Sequence, residues 1–136
     1  GDYEGGFDPA DLEVLFHSMR TNYYSWVSGF SALTMRNTDT PELGNEFAGT
    51  LSKIQPDIAL SVAKVIFSSD CRDKLNKLGT EVLIIQSKED IAVPESVAYY
   101  LHRHLPNSRL EMINAEGHFA HISAPAEVIN SIKSFI

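Results

Sequence analysis

One cysteine, Cys71, occurs in 136 residues, which excludes an internal disulfide framework and favours a reducing compartment. The expected location is therefore cytoplasmic. Basic residues are also scarce: 11 Lys and Arg stand against 18 Asp and Glu, and the formal net charge is -7. Nucleic-acid surfaces need clustered cations to displace counterions, and here the few are scattered, so no nucleic-acid partner is expected. No apolar run approaches the roughly 18 residues of a membrane span, and no leader-like segment follows Gly1. Neither a membrane association nor a signal peptide is expected. The chain opens on Gly1 rather than Met, which is read as the mark of a partial sequence. Repeats, low-complexity tracts and charge runs are missing as well. What remains is the composition of an ordinary globular domain, 43% hydrophobic and 21% charged, long enough to bury a core.

Periodicity divides the chain near residues 70 to 80. Residues 8 to 67 read as helices alone. Asp8-Pro9 places an N-cap acceptor before a proline at the first helical position, and Leu12, Leu15, Phe16 and Met19 then form one stripe. Trp26, Phe30 and Leu33 repeat the spacing. Thr40-Pro41 restarts it, with Leu43, Phe47, Leu51 and Ile54 on one face, and Pro56-Asp57 opens a fourth helix carrying Ile58, Val62, Ala63 and Ile66. Four short helices with short connections fit an insertion, a cap or a small bundle.

The second region alternates. A helix is expected over Asp70–Leu78, and Val82-Leu83-Ile84-Ile85 is a continuous apolar run suited to a parallel strand buried on both faces. Pro94 begins a helix through Val97, Tyr100 and Leu101, ending near His104-Leu105. Arg109–Ile113 reads as a second strand, and Pro125 opens a last helix with Val128, Ile129, Ile132 and Phe135 on its buried side. This is α/β layering. Two strands cannot hide both helices and those apolar runs, so further strands are expected outside these residues.

Asp90 falls in the loop after the first strand and His118 in the loop after the second, at the strand ends where active sites of open α/β sheets gather. Gly117 allows the sharp turn that aims the imidazole across the sheet edge. A carboxylate beside such a histidine fixes its tautomer and stabilises the imidazolium formed when it takes a proton. An Asp 28 residues ahead of a Gly-His, each behind a strand, matches the order Ser…Asp…His. Taken singly, Asp90 also reads as an acid at a helix start and His118 as a structural loop histidine. The serine is not found. A nucleophile elbow needs Gly-x-Ser-x-Gly, and the nearest string, Gly29-Phe30-Ser31-Ala32-Leu33, lacks the second glycine and lies in a helical pattern.

Other nucleophile and metal readings are weaker. Nothing near Cys71 would lower its pKa, His102 and His104 point to different helical faces, and His118, His121 and Asp90 remain a minor metal alternative. The chemistry needs no cofactor. Trp26 and Phe30, with Tyr23 and Tyr24 beside them, are either plain core or the apolar wall of a ligand pocket between cap and core.

On these residues the sequence resembles the plant strigolactone and karrikin receptor hydrolases, and about as closely the bacterial stress-regulator hydrolase RsbQ. The likeness runs through Asp2-Tyr3-Glu4-Gly5-Gly6-Phe7, Asn22-Tyr23-Tyr24-Ser25-Trp26 with Gly29-Phe30, and Pro56-Asp57-Ile58-Ala59. It continues through Phe67-Ser68-Ser69-Asp70-Cys71-Arg72, Gln86 to Pro94, Tyr100-Leu101-His102, and Glu116-Gly117-His118 with Ser123-Ala124-Pro125. The resemblance implies an α/β-hydrolase fold, with residues 1–69 as a helical lid and 70–136 as the C-terminal part of the core. It implies Asp90 as triad acid and His118 as triad base. Trp26, Phe30, Val62, Ala63, Ile66 and Phe67 match lid positions that line the ligand cavity, and Phe119, bulkier than the residue usual there, narrows the pocket mouth. The implied ligand is a small butenolide lactone or apolar ester, slowly hydrolysed. A plant member would be cytoplasmic and nuclear and would engage an F-box protein and a transcriptional repressor; an RsbQ-type member would engage a phosphatase. A non-catalytic interaction module and an ordinary carboxylesterase stay open as alternatives. The open strand edges of a half-sheet predict poor solubility or oligomers.

Overall fold

The computed structural model describes residues 3–136; Asp2, first residue of the resemblance string above, lies outside the described residues. Two compact units are formed, one from Gly6–Ser69 and the other from Asp70–Ile136 together with the N-terminal residues through Gly5.

The first unit is helical: α1 (Pro9–Thr21), α2 (Tyr23–Met35), α3 (Pro41–Leu51) and α4 (Pro56–Ser68). Proline sits at the start of α1, α3 and α4, where its missing N–H costs nothing. Asp8 and Thr40 precede two of these helices, yet neither side chain makes a capping bond. Asn22 does: it ends α1 and accepts the Ser25 N–H at the start of α2 at 3.3 Å. The core gathers Met19, Tyr23, Val27 and Ala63, with Leu15, Phe16, Leu51, Ala59 and Phe67 packed around them. The Tyr23 hydroxyl donates to the Leu51 carbonyl at 2.9 Å, and burial, helped by Tyr24, raises its pKa.

Two stripes expected from hydrophobicity are buried only in part, through Trp26 on α2 and Ala63 on α4. On α2 the buried positions are Tyr23, Val27, Ser31, Thr34 and Met35, whereas Leu33 is exposed. On α4 the inward residues are Ala59, Ala63 and Phe67, and Ile58, Val62, Val65 and Ile66 are exposed. Small residues let neighbouring helices approach closely, which hydrophobicity alone ranks low. Ile54 lies past the end of α3 and is exposed.

The second unit begins with a 3-10 turn, Arg72–Lys77, instead of the α-helix expected over Asp70–Leu78. Asp70 accounts for the difference. Its carboxylate accepts the Arg72 backbone N–H at 3.1 Å and pairs with the Arg72 guanidinium, so the chain is engaged locally before an α-helical ladder can form. β1 (Val82–Glu89), α5 (Glu95–His104), β2 (Ser108–Glu116), a short α6 (Ala120–Ser123) and α7 (Pro125–Phe135) follow. The strands are parallel, in register from Val82 opposite Ser108 to Ser87 opposite Ile113, and α5 and α7 pack on the pair. Both strands outrun the apolar segments that announced them. Val82–Ile85 is only half-buried, and the buried residues of β1 are Gln86 and Ser87. With one neighbouring strand among the described residues, the run is not covered on every side. On α7 the inward side chains are Val128, Ser131 and Phe135; Ile129 and Ile132 are exposed. Neither α6 nor a register shift late in the ladder was legible. Between Ser87 and Glu89 the pairing slips, so that Glu89 meets Glu116.

Candidate active site

The ladder delivers two loops to one place. Beyond the paired Glu89 and Glu116, the Gly117 N–H donates to the Glu89 carbonyl at 2.9 Å, one further rung after the strands end. Gly117 takes φ +82°, a region that residues with a Cβ rarely enter. Asp90 therefore leaves β1 beside the residue that turns His118 back toward it.

His118 Nδ1 lies 2.8 Å from Asp90 Oδ2. A carboxylate only accepts, so Nδ1 carries the proton and the lone pair of the neutral ring sits on Nε2. The Asp90 side chain is 6% exposed and that of His118 37%, an acid sheltered from solvent behind an accessible imidazole. The other carboxylate oxygen is committed to the loop: Oδ1 accepts the Ala92 N–H at 2.8 Å and the Val93 N–H at 3.0 Å. Asp90 is thus a local loop acceptor as well as partner of the histidine, whereas the helix-start acid also weighed for it falls short of α5, which begins only at Glu95. An imidazole so held can take a proton at Nε2 while its new charge is met by the carboxylate. Phe119 sets its ring edge-on to His118, centroids 5.0 Å apart, and also meets His121 at 6.1 Å.

In the helical unit, Trp26 and Phe30 stack at 4.8 Å with planes 19° apart, and Tyr23 stacks on Trp26 at 5.8 Å. Trp26 and Phe30 border an open groove of about 520 Å³, with Val14 and Leu15 of α1 and Leu33 of α2. Four other residues singled out by resemblance divide over α4. Val62 and Ile66 are exposed, Ala63 belongs to the helical core, and Phe67 packs on Phe7 and Phe16.

Among the weaker candidates, the two α5 histidines have local partners. His102 Nδ1 contacts the Ser108 hydroxyl at 2.9 Å, His104 Nδ1 the Tyr100 carbonyl at 2.8 Å, and Cys71 is exposed ahead of the 3-10 turn. Among the described residues no group of three or more His, Cys, Asp or Glu could hold a metal ion, and no helix is long and apolar enough to cross a membrane. One residue escaped the sequence reading: Gln86, buried at the end of the apolar run, donates from Nε2 to the Val93 carbonyl at 3.1 Å. A lone amide closing a hydrophobic strand was the available signal.

The family model described as the alpha/beta hydrolase fold matches residues 3–125. The chain belongs to the α/β-hydrolase family. Within it, the chain is 38% identical over 133 residues to strigolactone esterase D14 of Arabidopsis thaliana, spanning 97% of this chain and 49% of that protein. Identity to the karrikin insensitive 2 receptor CA of Petunia hybrida is 43% over 129 residues, 94% of this chain and 48% of the receptor. A solved hydrolase from Oleispira antarctica superposes with TM-score 0.93 at 36% identity, over 99% of this chain and 50% of that one. The α/β-hydrolase chain thus spans about half the length of the curated relatives it matches.

Proposed function

We propose that this chain supplies the acid and the base of a Ser-His-Asp hydrolase acting on a small apolar ester or butenolide lactone. The observation that carries the reading is the 2.8 Å bond from His118 Nδ1 to a buried Asp90 carboxylate. In this reading His118 Nε2 takes the proton of a serine hydroxyl, Asp90 orients and stabilises the imidazolium, and the serine and oxyanion donors come from polypeptide beyond these 136 residues. Of the residues 1–69 expected as the lid, the helical unit Gly6–Ser69 takes that role, with Trp26 and Phe30 offering apolar contacts to the ligand, assisted by Val62, Ala63, Ile66 and Phe67. Residues 70–136 belong to the core, and Phe119 shapes the pocket mouth. No metal or organic cofactor takes part.

The names of the relatives, a strigolactone esterase and a karrikin receptor, support a receptor that hydrolyses its ligand; in the proposed role it turns over slowly and signals in the cytoplasm, and in the nucleus if the source is a plant. A plant protein would pass the signal to an F-box protein and a repressor, and a protein of the RsbQ type to a phosphatase. A second reading, a hydrolase without a signalling role, is favoured by the 36% identity to the Oleispira hydrolase.

Hydrolysis of a fluorogenic ester by the full natural polypeptide tests the chemistry. His118→Ala should lower kcat by about 10³-fold or more, leaving the residual turnover of the oxyanion site. An unchanged rate would reject the assignment. A lactone-dependent thermal shift separates the two readings: receptors should show it, and a plain esterase should not.

A further inference from the structure

Val82–Ile85 is apolar, and an apolar residue would continue it; Gln86 instead places a carboxamide in a site 7% exposed. A buried polar group costs free energy unless it is hydrogen-bonded. Here it is: Nε2 donates to the Ser87 carbonyl at 3.0 Å and to the Val93 carbonyl at 3.1 Å. The second of these bonds crosses from the strand to the loop that carries Asp90.

Val93 is consequently held at both of its backbone groups. Its N–H is on Asp90 Oδ1 and its carbonyl on Gln86 Nε2. The next residue is Pro94, so the Val93–Pro94 peptide has no N–H of its own by which to be anchored. Nothing in the regular hydrogen bonding of α5, which begins at Glu95, fixes that peptide. The bond from Gln86 does.

The carboxylate torsion of an aspartate is broad and two-fold, so its two oxygens exchange readily unless donors distinguish them. The Ala92 and Val93 N–H groups make that distinction here by claiming Oδ1. They hold the carboxylate only as firmly as Val93 itself is held. We infer that Gln86 is a positioning residue for the Asp90–His118 pair: it clamps Val93 so that Oδ1 stays with the loop and Oδ2 stays aimed at the imidazole. The inference rests on the reading of Asp90 and His118 as acid and base.

Two variants test it in the full natural polypeptide. Gln86→Met keeps the length and removes the donors; Gln86→Glu keeps the shape and sets an acceptor against the Val93 carbonyl. Both should lower kcat by about 10- to 100-fold with KM nearly constant, since a displaced catalytic group costs rate more than binding. Both should also broaden or shift the His118 Nδ1–H resonance, and Gln86→Glu should be the more severe. The Val93 amide of the unmodified protein should exchange slowly with solvent although it lies in a loop, a measurement that needs no variant to fold. Wild-type kcat and an unaltered resonance in both variants would overturn the inference. So would activity lost only in proportion to the folded fraction, or a Val93 amide that exchanges as fast as a solvated one. If instead His118→Ala and Asp90→Asn leave hydrolysis unchanged, the hydrolase reading fails, while the His118 resonance in the two Gln86 variants still decides what Gln86 does.

Discussion

Replacing Asp90 by Asn should silence the site while leaving the loop standing, because the two oxygens of the carboxylate have different partners. Oδ1 receives two N–H groups, from Ala92 and Val93, and an amide nitrogen in that place would oppose both donors. The Asn carbonyl must therefore take the Oδ1 position, and its NH2 must face His118. There it can only donate, so His118 Nδ1 becomes the acceptor and the ring proton moves to Nε2. Nε2 then has no lone pair with which to accept a proton. The expected loss in kcat is about 10⁴-fold, as for the same substitution in Ser-His-Asp proteases. The loop bonds persist but change from charge-assisted to neutral, which costs about 1 kcal/mol each, or about 2 kcal/mol in total. Asp90→Ala should cost more, about 3 kcal/mol, because two partly buried N–H groups lose their acceptor altogether. Ester turnover, urea unfolding and the nitrogen shifts of the His118 ring measure the three consequences. An Asn variant within tenfold of the parent rate, or one whose imidazole still carries its proton on Nδ1, refutes the argument.

Gly117→Ala would force a Cβ into φ +82° at the point where the loop rejoins the ladder; a loss of about 1 to 2 kcal/mol in urea unfolding is expected, with turnover falling as His118 shifts. Met19→Ala, in the fully enclosed centre of the helical unit, should cost about 2 to 5 kcal/mol, whereas Val65→Ala on the exposed side of α4 should stay within about 0.5 kcal/mol. Arg72 holds the Asp70 carboxyl down to about 2, mainly through its side-chain hydrogen bonds. A depressed carboxyl stabilises the fold above its ordinary pKa and loses that contribution as pH falls toward 2. Arg72→Ala should therefore flatten the dependence of the urea midpoint on pH between the ordinary carboxylate range and pH 2.

The alternation of strand and helix, the proline-led helix starts and the placement of Asp90 and His118 were all legible because each rests on a local signal. A proline fits the first helical position because its missing N–H costs nothing there, and a residue just past a β-strand lies at the end of the sheet. Orientation was not local. On α4 the larger side chains, Ile58, Val62 and Ile66, lost the interior to Ala59 and Ala63, and on α2 Ser31 and Thr34 are buried where Leu33 is not. Strand ends were hidden for a related reason: Gln86, Ser87 and Glu89 on one strand, and Glu116 on the other, are held in the ladder by main-chain pairing, to which hydropathy is blind. The division of labour between the Asp90 oxygens was out of reach, since it depends on where two amide groups point.

The bond from Gly117 to Glu89 has a consequence for how this protein can diverge. It closes the strand pair just ahead of the acid and just ahead of the imidazole, so the separation of the two groups follows sheet spacing rather than loop length. Beyond Val93, which the bonds from Asp90 and Gln86 tie to the site, and from Phe119 in the other connection, the chain is released from that duty. Insertions there could remodel what enters the site and leave its proton chemistry intact, whereas a single residue added before either landmark would pull the partners out of step.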